Sequence, residues 1–269
     1  MILTILDMLG QLKSAIKTLF LTVRGPGDSG TLAILDSSQI AAIFRSHDID
    51  QQWNALSARL ANLCQIEDLK TGGVNPGDRR ALFYVVKALR PTSTLEIGSH
   101  VGASTVHIGA AMASGSRLVT LDIQDVNNAP SAYWRTFGLQ RSPRQMLSEL
   151  NKNLDISFVT SDSVAFLKKT DQRFDLIFLD GDHSKETVLK EIPKSLTVLK
   201  RNGVILLHDY FPDSKPLWSD GSVISGPFEA MEELRMRDAR LRVIPFGALP
   251  WTTKLGSHIT SLAVVVQEQ

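Results

Sequence analysis

Apolar residues follow two rhythms along this chain. Nearly continuous apolar runs fall near residues 93–98, 117–122, 155–160, 174–180 and 203–209, the pattern of buried strands. Between and after them, mixed segments near 102–114, 143–152, 162–170, 184–200 and 227–238 carry helical spacing. Alternation of this kind predicts parallel strands joined by right-handed crossovers, an α/β fold. The end of the chain reads differently. Leu241–Phe246 and Ser261–Val266 are β-rich and have no helix-length segment between them, so they are expected to pair antiparallel at one sheet edge.

The first part of the chain has a helical rhythm throughout. Ile2, Ile5, Leu9, Leu12, Ile16, Leu19 and Val23 alternate steps of three and four, giving a narrow apolar seam. Arg24–Gly30 reads as a loop. Residues 37–70 read as helical, and Thr71–Gly77 is the best boundary. A helix over about 78–89 follows it and ends before Pro91. The expected division is a helical region over 1–75, serving as lid or oligomerisation element, and a ligand-binding domain over 76–269. Asp7, Gln11, Lys13 and Lys17 interrupt the first apolar stretch, which argues against a signal peptide and a membrane span.

Charge narrows the partners. Lys+Arg is 29 and Asp+Glu is 28, a net charge of +1 that offers nucleic acid no electrostatic footprint. Cys64 is the single cysteine, which excludes an intrachain disulfide and a multi-cysteine zinc site. A reducing, cytoplasmic setting is expected.

The candidate chemistry sits where the strands finish. Five strands end on or near carboxylates: Glu96, Asp122, Asp162, Asp180 and Asp209. In open α/β sheets, ligands bind outside the carboxyl ends of the strands. Five acids on one rim suit hydroxyls, an amine-bearing base or a cation. Gly98 and Gly102 flank a strand-to-helix turn, spaced Gly-x-x-x-Gly rather than the Gly-x-Gly-x-x-Gly of nicotinamide folds. Asp122 can accept hydrogen bonds from a ribose diol. Asp162 with Ser163 suits either a helix cap or an adenine amino group. Together these describe a pocket for adenosine with no polyphosphate cradle.

Asp180-Gly-Asp-His183 adds a histidine, the side chain best suited to proton transfer near neutral pH. His208-Asp209-Tyr210 ends the neighbouring strand, so Asp180 and Asp209 are expected to face each other. Paired carboxylates of this kind call for a proton or a hard cation such as Mg²⁺ between them.

These motifs, Glu96-x-Gly98-x-x-x-Gly102, Asp122, Asp162, Asp180-Gly-Asp-His183 and Gly203–Asp209, resemble class I S-adenosylmethionine-dependent methyltransferases. More narrowly they resemble the small-molecule O-methyltransferases of the catechol and macrolide-sugar type. The resemblance spans about residues 78–269. It implies a Rossmann-like seven-stranded sheet in order 3-2-1-4-5-7-6, strand 7 antiparallel, flanked by helices. It implies that Glu96, Gly98 and Gly102 line the methionine part of the cofactor, with Ser99, His100 and Ser104 in the same loop and helix start. It further implies that Asp122 holds the ribose, Asp162 and Ser163 flank adenine, and Asp180 reaches the cofactor. Asp180 and Asp209 match metal ligands, and His208 stands where the macrolide-sugar branch has a glutamate and is counted with them. His183 matches that branch's general base.

The expected activity is therefore methyl transfer from S-adenosylmethionine to a hydroxyl of a small, natural-product-like molecule. His183 and Asp180 would be catalytic, Mg²⁺ would assist, and the assembly would be a homodimer or larger homo-oligomer. A metal-independent N-methyltransferase and a non-catalytic cofactor-binding subunit are the alternatives. Aromatic residues in Asn127–Gln140 and Phe211–Phe228 are expected to shape the acceptor pocket.

Overall fold

A computed structural model of the chain describes residues 36–65, 73–150 and 152–268. The strands are β1 Ser93–Ile97, β2 Arg117–Asp122, β3 Asp155–Thr160, β4 Phe174–Leu179, β5 Leu199–Leu207, β6 Leu241–Pro245 and β7 Ala263–Gln267. They form one seven-stranded sheet in the order β3-β2-β1-β4-β5-β7-β6. Strands β1 to β5 pair in parallel, and β7 runs antiparallel to both β5 and β6. This is the Rossmann-like order that the family resemblance implied, with the antiparallel edge read from the sequence pattern.

The helices are α1 Ser37–Phe44, α2 His47–Leu63, α3 Pro76–Leu89, α4 Ala103–Ala111, the single turn α5 Tyr133–Thr136, α6 Pro143–Glu149, α7 Ser163–Lys169, α8 Lys185–Val198 and α9 Gly226–Arg237. The central strands are apolar on both faces because both faces are covered. Leu176, Phe178, Val204 and Leu206 share one core with side chains of α1, α2, α3, α4 and α6. The alternate residues Ile177, Leu179, Ile205 and Leu207 join a second core with α7, α8 and α9. Each such side chain contributes roughly 1.5–3 kcal/mol by leaving water, so the period-2 register of β4 and β5 is strongly specified.

Two elements differ from the sequence reading. The helical stretch from residue 37 breaks at Arg45 and Ser46, because Ser46 accepts from Ile49 N and starts a new helix. Strand β5 begins at Leu199 rather than near residue 203, with a register shift against β4 between Phe174 and Leu176. The seam Ile2–Val23 and the loop Arg24–Gly30 lie outside the described residues. Among the described residues, no helix is long and apolar enough to cross a membrane.

Candidate active site

The site begins where the three central strands stop. Beyond their ends the ladder continues for one step: Asp180 N donates to Ile97 O (2.9 Å) and His208 N to Leu179 O (3.0 Å). This places the turn after β1 against the tips of β4 and β5. Gly98 has φ of 98°, and a Cβ there would lie 2.1 Å from the Asp180 carbonyl oxygen. Only glycine fits both the left-handed backbone and the close approach. A second tight contact fixes the other side, since a Cβ on Gly226, at the start of α9, would lie 2.1 Å from His183 O.

These tips open onto a cavity of about 440 Å³. Of the residues singled out in the sequence, Gly98, Ser99, His100, Ser104, Asp122, Asp162, Ser163, Asp180 and His183 line it. Asp122 accepts His100 N on Oδ2 (2.9 Å) and Gln124 N on Oδ1 (3.2 Å), so backbone amides hold its carboxylate at the cavity wall. The His100 ring lies 4.3 Å, centroid to centroid, from that of Tyr133 on α5. Burial lowers the His100 pKa, against the pull of Asp122 and Asp180, which favours a neutral ring. Asp162 caps α7 through Ala165 N (2.7 Å) and also borders the cavity, so the two readings of this residue are compatible.

Glu96 and Gly102 take other places. Glu96 is fully buried behind the wall, where its Oε2 accepts from Thr105 Oγ1 and Thr120 Oγ1 at 2.6 Å each. Burial pushes its pKa up to about 7, although the hydroxyls of Ser104, Thr105 and Thr120 lower it. Glu96 thus ties the start of α4 to β2 from beneath the site. Gly102 N-caps α4 with φ of 84°, and a Cβ there would meet Pro143 of α6 at 2.7 Å. It serves the close packing of α6 on α4, away from the cavity wall.

The tips of β4 and β5 gather two acids and two histidines. His183 Nε2 lies 3.4 Å from Asp209 Oδ2 and 4.0 Å from Asp180 Oδ1. Ser261 Oγ donates to Asp209 Oδ1 at 3.2 Å. Asp209 itself holds a left-handed backbone, φ 52°, an uncommon conformation for a residue with a side chain. Asp180, His183 and Asp209 each offer one ligand atom, and these lie within 4.8 Å of one another.

His208, grouped with the ligands in the sequence, points inward instead. It is only 6% exposed, with Nδ1 2.7 Å from Asp180 Oδ1 and Nε2 3.2 Å from Asp78 Oδ2. Burial alone would lower its pKa, but Asp209 and Asp180, with hydrogen bonds to Asp180 and Asp78, raise it well above the usual value. A ring with a carboxylate at each nitrogen is placed to bind protons rather than a cation.

Asp78 escaped the sequence reading, as did Glu191 and Thr187 on the cavity wall, whereas Tyr133, from the aromatic segment Asn127–Gln140, does line the cavity. Asp78 is fully buried on α3 and also accepts Asn75 Nδ2 at 2.8 Å. Its link to His208 spans 130 positions, and no local pattern announces it. Glu191 did leave a signal. It shares the buried face of α8 with Val188, Ile192, Ser195 and Val198, an acid at an apolar position.

Known proteins place this arrangement. Residues 95–210 match a sequence family described as a methyltransferase domain. No curated protein matches the sequence. Among solved structures, the O-methyltransferase TomG from Streptomyces achromogenes, involved in tomaymycin synthesis and bound to S-adenosylmethionine, is 15% identical with a TM-score of 0.54, covering 84% of this chain and 91% of that one. An O-methyltransferase from Bacillus cereus, in complex with S-adenosylhomocysteine, is 19% identical with a TM-score of 0.51, covering 83% and 92%. A putative O-methyltransferase from Klebsiella pneumoniae is 17% identical with a TM-score of 0.54, covering 87% and 96%. Identity this low speaks for the fold, and the matched motifs lie on the strand tips that build the cavity. Residues 95–210 are thus similar to a methyltransferase domain, and the seven-stranded sheet shares its fold with these solved O-methyltransferase structures.

Proposed function

We propose that this protein transfers a methyl group from S-adenosylmethionine to a hydroxyl of a small-molecule acceptor, with His183 as general base. The observation that carries the reading is the position of His183: it borders the same cavity as Asp122 and Asp162 while its Nε2 stands 3.4 Å from Asp209. The acids at the β2 and β3 ends suit the ribose and base of the cofactor. The tips of β4 and β5 then meet the sulfonium and the acceptor.

The chemistry asks little of the protein beyond placement. The acceptor oxygen attacks the methyl carbon, the carbon–sulfur bond breaks, and its electron pair stays on sulfur as a thioether. Holding oxygen, carbon and sulfur in line supplies most of the advantage. The acceptor proton passes to His183 Nε2, where Asp209 and Asp180 stabilise the imidazolium. The Asp78–His208 pair holds Asp180 from behind. Two carboxylates backed by an imidazole suit a divalent cation, with Asp180 and Asp209 as its protein ligands; bound there it would favour the ionised acceptor by direct charge.

Calorimetry with S-adenosylhomocysteine tests the cofactor, and a panel of phenols and sugar hydroxyls scored by S-adenosylhomocysteine release tests the acceptor. Binding without release from any hydroxyl, together with release from amines, would move the reaction to nitrogen. Chelation by EDTA should abolish turnover reversibly while leaving cofactor affinity within about twofold. Full activity in chelator would remove the cation from the reaction.

A further inference from the structure

Glu191 is an ionisable group on the cavity wall that the reaction above does not use. It is 2% exposed and sits on the inner face of α8. The groups acting on its carboxyl come from two directions: Ser163 and Asp162 from the start of α7, and Asp182 from the turn before α8. No lysine or arginine among the described residues forms an ion pair with it. A purely structural role on this helix face would be served by an apolar side chain like Val188 or Ile192. An acid there leaves water without a compensating cation, which is costly unless it bonds to a partner. The neighbouring Ser163 hydroxyl eases its ionisation. The cavity that Glu191 borders is where a partner would stand.

We propose that Glu191 determines base specificity in this cavity: its carboxyl group pairs with the amino-substituted edge of the cofactor's adenine. The inference rests on the methyltransferase reading and adds to it the residue that recognises the nucleobase. Adenine presents an amino donor beside a ring-nitrogen acceptor. A protonated carboxyl presents an acceptor beside a donor, so the two edges match. The protonated form is accessible near neutrality. Burial pushes the Glu191 pKa up to about 7, with Ser163 lowering it and Asp182 and Asp162 raising it. The neighbouring acids that oppose ionisation of Glu191 thereby favour the form that can bond twice.

The test compares S-adenosylhomocysteine with the analogue whose base is unsubstituted purine, by calorimetry on the full chain. Wild type should prefer the adenine compound by about tenfold or more, the cost of one lost hydrogen bond in a buried site. Glu191→Gln keeps a donor and an acceptor and should retain that preference within about threefold. Glu191→Leu and Glu191→Ala should bind both compounds alike. Equal affinity of wild type for the two compounds overturns the proposal without any variant, so a variant that fails to fold does not rescue it. A full preference that persists in Glu191→Leu also overturns it, and its loss in Asp162→Ala would assign base reading to Asp162. Binding of neither compound by wild type would instead bring down the methyltransferase reading, and this inference with it.

Discussion

Strand β4 carries an aspartate near its start and another just past its end, and the two live in opposite chemical worlds. Asp175 is saturated. Its Oδ2 accepts Thr92 N, Thr92 Oγ1, Ser93 N and Lys200 Nζ at 2.7–3.0 Å. Burial alone would raise its pKa, but these donors and the Lys200 charge hold it below the usual value. Asp180 borders a cavity and faces imidazoles, His208 at 2.7 Å and His183 at 4.0 Å. A carboxylate with a full set of fixed donors is a fastener. One that faces histidines beside an open cavity can take part in a reaction. Parallel strands put all five carboxyl ends on the same rim, so the active end is shared by β1 to β5 and the opposite end is free for structural use.

The sharpest break between the two ends should come from His183→Ala. Turnover is expected to fall by about 10²–10⁴-fold, the usual contribution of a positioned general base, while S-adenosylhomocysteine affinity stays within about twofold. Unchanged turnover would take His183 out of the chemistry and leave Asp180 as little more than a second fastener.

Gly98→Ala strikes the contact that places Asp180. Its Cβ would meet a backbone oxygen at 2.1 Å from a left-handed backbone, so a stability loss of about 3 kcal/mol or more is expected by thermal or denaturant unfolding. A midpoint equal to wild type would mean the turn after β1 does not press on the tip of β4.

Glu96→Gln probes the acid hidden behind the wall. A carboxyl raised from 4.5 to about 7 by folding stabilises the fold below the unfolded pKa and loses that contribution as pH rises toward 7. The variant should therefore gain on wild type by on the order of 2–3 kcal/mol between pH 4 and pH 8. Parallel unfolding curves over that range would show that Glu96 stays ionised in the fold.

Asp175→Asn should give the smallest effect and the cleanest contrast. Folding lowers the pKa of Asp175, so its contribution is present above the unfolded value of 3.8 and disappears as pH falls through the folded value. The variant should lose about 1–2 kcal/mol at neutral pH, with the deficit shrinking below pH 4 and cofactor affinity unchanged. Weaker S-adenosylhomocysteine binding would erase the distinction drawn between the two ends of β4.

The sequence alone was enough for the sheet and for the rim. Apolar runs such as Phe174–Leu179 declare buried strands, alternation with helices forces parallel pairing, and parallel pairing brings Asp122, Asp162, Asp180 and Asp209 to one edge. The left-handed turn at Gly98 was legible for the same local reason. What lay beyond reach depends on where a side chain points once its backbone is placed. Glu96 ends a strand as Asp180 nearly does, yet two threonine hydroxyls hold it inside, at 2.6 Å each. His208 adjoins Asp209 in sequence, yet its ring is buried and its Nε2 finds Asp78, brought from α3 by the packing of the whole domain. Glu191 reaches the cavity only because α8 lies against α7. Local pattern sets the element and its face, since burial and backbone sterics act over a few residues. The partners of a buried charge are chosen by the tertiary fold, because burying one is costly unless distant parts of the chain supply its neighbours.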